Sequence, residues 1–178
     1  MNYDVRHAIP VDASAVARVH VDGWKTAYRG IIADDYLDSL SYADREAKWS
    51  KTIADPTNFV FVAEDKRIEI PGKTVIGFCS GGANRLEDRT FTGELYAIYI
   101  LGGYHGKGVG KKLVHSLAES LLYHNFDSMM VWVLAKNPHR QFYERLGGKF
   151  VLSREIQIGG TNFEEVAYGW KDISDLCR

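Results

Sequence analysis

The sequence predicts a single α/β domain built on a mixed, mostly antiparallel sheet flanked by helices. Three observations carry this. Helix-periodic and β-rich segments alternate along the chain, two pairs of β-rich runs read as hairpins, and the continuous apolar run Ser128 to Leu134 follows a strand–helix unit. At 178 residues the chain is the size of one domain and can bury one substantial core. The domain is expected over 1–178, with its core over about 3–171.

Tyr3 to Ala8 reads as a short strand ended by Pro10. Asp12 is placed to cap a helix that carries Val16, Val19, Gly23 and Ala27 along one side. A second helical stretch covers 34–54, broken near Ser41 and closed by Asp55-Pro56. Asn58 to Glu64 and Thr74 to Ser80 form the first expected hairpin, across a charged, Pro/Gly-containing segment at 65–73. Thr92 to Leu101 is the next strand, and simple alternation puts Glu94, Tyr96, Ile98 and Ile100 on one face. A glycine-rich turn leads into a helix over 109–123 whose stripe is Val109, Leu113, Leu117 and Leu121. The all-apolar strand Ser128 to Leu134 is expected to be buried on both faces and parallel to the preceding one. Asn137-Pro138 is expected to open another helix as cap and first residue, and Gly147-Gly148 to stop it. Gly159-Gly160 joins the two runs of the closing hairpin, Phe150 to Ile158 and Thr161 to Trp170.

Charge is nearly balanced, 22 basic against 23 acidic residues, which argues against an electrostatic grip on nucleic acid or on an acidic membrane. No apolar run approaches the roughly 20 residues of a membrane helix, and the N-terminus lacks the pattern of a signal peptide. Cys79 and Cys177 show neither metal nor redox spacing, and the histidines form no ligand pair, so no metal and a reducing cytoplasmic setting are expected.

The chemistry concentrates in His105-Gly106-Lys107-Gly108-Val109-Gly110-Lys111, between a strand and a helix. A helix N-terminus offers unpaired N–H groups and a positive dipole end, and glycines let a diphosphate approach the backbone. A Walker A loop fails on His105 and Lys112, and a dinucleotide fingerprint fails on Lys111. The remaining Gly-x-Gly pattern resembles motif A of the GCN5-related N-acetyltransferases, with His105 where Arg or Gln is usual. Downstream, Asn137 followed six residues later by Tyr143, then Gly147-Gly148-Lys149-Phe150, is similar to motif B of the same family.

This resemblance covers nearly the whole chain and implies the acyl-CoA N-acyltransferase fold, with acetyl-CoA as co-substrate. It implies that His105, Gly106, Lys107, Gly108, Val109, Gly110 and Lys111 cradle the diphosphate. Main-chain groups of Ile100 and Leu101 would pair with the pantetheine arm, Asn137 would contact that arm, and Tyr143 would protonate the departing thiolate. Glu94 is the candidate base, against an exposed strand-start glutamate as the equal alternative, and His20 is the runner-up. His20, Trp24 and Tyr28 form one stripe at i, i+4, i+8, and with Tyr96 they are the candidate acceptor wall. For Trp24, core packing is at least as strong a reading. The expected acceptor is a small-molecule amine. A peptide or protein amine, or an acetyl-CoA-binding module without catalysis, stays open. Exposed sheet edges and the closing hairpin leave room for a homodimer.

Overall fold

The computed structural model describes residues 3–68, 70, 74–86 and 90–178. The elements, in chain order, are β1 (Tyr3–His7), α1 (Ala13–Tyr28), α2 (Asp34–Asp38), α3 (Tyr42–Ala54), β2 (Phe59–Asp65), β3 (Val75–Ala83), β4 (Gly93–Ile100), α4 (Val109–Tyr123), β5 (Met129–Leu134), α5 (Gln141–Arg145), β6 (Lys149–Ile158) and β7 (Thr161–Trp170). The seven strands form one sheet in the order β1-β2-β3-β4-β5-β7-β6, and only β4 and β5 run parallel. Part of the expected 65–73 connection, residues 69 and 71–73, lies outside the described residues.

Each face of the sheet is covered by helices with the predicted periodicity. Leu113, Leu117 and Leu121 of α4 are fully buried against Leu95, Met129, Val131 and Val133. Each such leucine contributes about 1.5–3 kcal/mol before the entropy of ordering the chain. On the other face, α1 and α3 pack Val16, Val19 and Trp49 on Val60, Val62 and Phe78. The second helical stretch is two helices, and Ser41 begins the second with its Oγ accepting from the Asp44 N–H. The closing hairpin turns through Gly159 and Gly160, both at positive φ, as a two-residue turn of this twist requires.

Three local expectations are corrected. Asp12 occupies the position before α1 but does not cap it; its carboxylate accepts from the Ile9 N–H and from Arg6, because a short 3-10 turn over Pro10–Asp12 comes first. Asn137 and Pro138 do not open α5, which starts at Gln141; residues 137–140 are a turn closed by the His139 N–H on Asn137 Oδ1.

The third correction matters most. Ser80 pairs with Ala97 but Gly81 pairs with Leu95, so Tyr96 is an extra residue, a β-bulge in β4. The bulge reverses the alternation midway. Leu95 faces α4 before it, and Ile98 and Ile100 face α4 after it, whereas Ala97 and Tyr99 face α1. Glu94 and Tyr96 therefore do not share a face with Ile98 and Ile100.

Candidate active site

The bulge stands where β4 and β5 part. The two strands pair only at Gly93 with Met129, Glu94 with Met130 and Leu95 with Val131, and beyond that point they diverge into a fork. A bulge bends its strand and increases its twist, which swings the rest of β4 away from β5. The Leu101 N–H donates to Ile76 of β3, so by alternation the main-chain groups of Ile98 and Ile100 point away from β3, into the fork. Leu101 itself is committed: its N–H serves β3 and its carbonyl accepts from Tyr104. The fork's free backbone thus belongs to Ile98 and to the Ile100 N–H, since the Ile100 carbonyl is met by His105 Nε2.

A cavity of about 330 Å³ occupies the fork. Nine of the residues singled out in the sequence line it: Ile100, His105, Gly106, Gly108, Val109, Gly110, Lys111, Asn137 and Tyr143. Gly106 and Gly108 have φ of 70° and 82°, conformations that glycine adopts without strain. Gly108 caps α4 without any side-chain hydrogen bond, so the first-turn N–H groups stay open toward the cavity. At Gly110 a Cβ would meet Phe142 at 3.0 Å and Ile100 at 3.1 Å, so the glycine lets the start of α4 approach the fork closely. The loop is tied from behind. Tyr3 Oη donates to the Lys107 carbonyl, and Tyr104 Oη donates to Asp65, whose carboxylate Arg67 holds well below the usual range.

These features make a fitting cradle for a diphosphate followed by an extended amide-bearing arm: open N–H groups at a helix start, then a strand edge with unpaired peptide groups. His105 lines the cavity beside these groups. Its Nε2 lies 2.8 Å from the Ile100 carbonyl, and its ring meets His139 edge-on at 4.9 Å.

At the inner end, Asn137 Nδ2 donates to the Tyr28 hydroxyl at 3.1 Å. Tyr143 is buried, lines the cavity, and has no hydrogen-bond partner for its hydroxyl among the described residues. Burial, reinforced by Tyr28, raises its pKa well above the ordinary tyrosine value, so it stays protonated. Burial likewise raises Tyr99, whose ring lines the cavity floor. The additional glycine of the motif, Gly148, has a structural reason: a Cβ there would stand 2.7 Å from the Trp170 ring and 2.9 Å from the Tyr143 carbonyl.

The other candidates lie outside the cavity lining. Lys107 faces a neighbouring cleft between β1 and α4. Trp24 and Tyr28 do form a stripe with His20, with ring centroids 6.2 and 5.1 Å apart in succession, in the wall behind the fork. Tyr96 donates to the Ala83 carbonyl beneath Arg85. Glu94 is not exposed; it is buried, and Arg85 clasps it through its backbone N–H and its guanidinium. Ile98, Tyr99 and His139 line the cavity but were not singled out in the sequence. Ile98 and Tyr99 depend on the bulge, and His139 on the turn, neither of which residue spacing revealed.

His20 accepts from Trp49 at Nδ1 and stacks on Tyr99 at 5.0 Å. Burial, with Arg45 and Lys48 nearby, pushes its pKa down to about 3. A histidine depressed in the fold keeps the native state neutral while the unfolded chain takes up a proton below about 6.5. Stability is therefore full above that pH and declines as pH falls toward 3, by at most about 1.4 kcal/mol per unit. Urea unfolding at pH 6.5 and 4.5 should show a loss of about 2–3 kcal/mol in excess of that in His20→Gln; parallel behaviour of the two proteins would refute it.

A family model described as the acetyltransferase (GNAT) family matches residues 24–148. The chain belongs to this family. The GNAT chain is 42% identical to the uncharacterised N-acetyltransferase YuaI of Bacillus subtilis over 97% of its own length and 95% of that protein. Its fold matches that of an N-acetyltransferase from Staphylococcus aureus Mu50 with a TM-score of 0.73, at 18% identity over 97% of this chain and 99% of the other. A PaiA N-acetyltransferase from Thermoplasma acidophilum, solved in complex with coenzyme A, matches with a TM-score of 0.67, at 19% identity over 93% and 98% of the two chains. The GNAT fold and N-acetyltransferase class expected from the two motifs therefore stand. Among the described residues, no helix is long and apolar enough to cross a membrane, and no cluster of ligands for a metal ion occurs.

Proposed function

We propose that this GNAT enzyme transfers the acetyl group of acetyl-CoA to the primary amine of a small molecule, by direct attack with both substrates bound. The observation that carries the reading is the fork itself: open α4 N–H groups, the main chain of Ile98 and Ile100, Asn137 and Tyr143 all converge on one cavity. Acetyl-CoA supplies an activated thioester. The amine nitrogen bonds to the thioester carbonyl carbon, the carbon–sulfur bond breaks, and the nitrogen gives up a proton to water. Tyr143, neutral and with its hydroxyl unengaged, is the donor for the departing thiolate and regains a proton from the water that took the amine's.

Glu94 already accepts three hydrogen bonds from Arg85, so we assign it to holding that arginine rather than to abstracting the proton. Tyr28 is the positioning residue for Asn137. We favour a small acceptor on the closed contact between the β6–β7 turn and α2, where a Cβ at Gly159 would stand 2.8 Å from the Tyr36 ring.

Thermal unfolding with acetyl-CoA, CoA, ATP or NAD tests the cofactor. At about 100 times its Kd, a ligand adds about 2.7 kcal/mol, which for a chain of this length is a rise of about 5–10 °C. Acetyl-CoA and CoA are expected to give that rise and ATP and NAD none. Equal effects, or no effect of acetyl-CoA, would refute the assignment.

A further inference from the structure

Beside the fork, on the sheet face opposite α4, lies a cluster that the chemistry above leaves unused. Trp132 is the first β5 residue past the last β4–β5 pair. Its neighbours Val131 and Val133 belong to the α4-side core, so the indole projects to the other face. Arg154 of β6 stacks 3.9 Å over that indole and is anchored by Glu165 of β7, with Nε to Oε1 at 2.6 Å. Arg85 is anchored in the same way by Glu94, which sits one residue before the parting point on β4.

The two pairs share a design. The carboxylates are buried, with side-chain exposures of 2% and 10%, while the arginine side chains are 61% and 41% exposed. Each arginine commits Nε and Nη2 to its carboxylate and has no partner for Nη1 among the described residues. The Trp132 Nε1–H is buried and likewise has no partner. A buried donor without an acceptor is destabilising in a free protein, and the unpaired Nη1 groups of two anchored guanidiniums are charge-assisted donors that an oxyanion can accept from. Arg154 covers the indole, and its own side chain is partly exposed.

We propose that this cluster binds the carboxylate of the acceptor, and that the acceptor is an amino acid, with its amine and carboxylate in one small molecule. The inference rests on the acetyltransferase reading above and names the substrate class of the same site. The carboxylate sits on Trp132, Arg154 and Arg85 while the amine reaches into the fork. A peptide or protein N-terminus lacks the adjacent carboxylate and is disfavoured.

The test is thiol release from acetyl-CoA with a panel of amino acids, each beside its carboxamide and its decarboxylated amine. Acetyl-CoA binding is followed in parallel by calorimetry. At least one amino acid is expected to be preferred over its amide by about a hundredfold in kcat/KM. Trp132→Phe, which keeps a ring under Arg154, and Arg154→Gln should each lower that ratio about tenfold, chiefly through the acid's KM. A merely structural role would slow acid and amide alike and leave the ratio unmoved, which overturns the proposal. Equal turnover of acids and amides overturns it too, as does turnover of no amino acid by a protein that binds acetyl-CoA; both leave the cofactor reading intact. Failure to bind acetyl-CoA removes that reading and this one together.

Discussion

Tyr143→Phe is expected to lower kcat for acetyl transfer by about a hundredfold or more, the range for loss of a positioned general acid. Its Kd for acetyl-CoA should stay within about twofold, because the ring keeps its packing beside Phe142 and Tyr168. The hydroxyl has no hydrogen-bond partner among the described residues, so its removal leaves no buried group stranded and stability should hold. The sign of the pH effect also follows. Burial raises the Tyr143 pKa, so the donor form persists across the working range and any fall in rate on the acid side comes from the acceptor amine. Single-turnover rates with saturating acetyl-CoA give the direct measurement, and an unchanged rate would remove Tyr143 from the chemistry.

Gly108→Trp is expected to abolish acetyl-CoA binding. The site has φ of 82°, and a Cβ there would already stand 3.1 Å from Tyr3 Oη. An indole added at the cap of α4 also covers the open N–H groups that form the cradle. The thermal rise with acetyl-CoA should vanish, and some stability should be lost because a non-glycine residue is strained at this φ. Chemical unfolding without ligand separates the two effects. A folded variant that still binds within tenfold of the natural protein would place the diphosphate elsewhere.

The order and type of the elements were legible because the chain is locally consistent: leucines at helical spacing on α4, an all-apolar β5, and Gly159-Gly160 between two alternating runs. The cradle was legible for a related reason, since glycines at a strand-to-helix turn leave few other uses for such a segment. What residue spacing concealed is register. Nothing in Gly93 to Ile100 marks Tyr96 as an extra residue, because the bulge is a relation between β3 and β4 and not a property of either strand. The burial of Glu94 is hidden in the sequence for a similar reason: its partner, Arg85, comes from the connection after β3. Asn137 read as a helix cap because its residue type suits either a cap or a turn; the structure uses it for the turn and for Tyr28.

The extra residue in β4 also sets how this segment tolerates change. Removing it lets Leu95 run straight on into Ala97, and Ala97 to Ile100 keep their facing, because without Tyr96 the two strands pair one residue to one. The gap between the parallel strands would lose its cause and could zip closed along the sheet. What the insertion supplies is therefore the parting of β4 from β5 and not the orientation of the side chains: a strand shorter by one is expected to keep its core packing and to lose the opening.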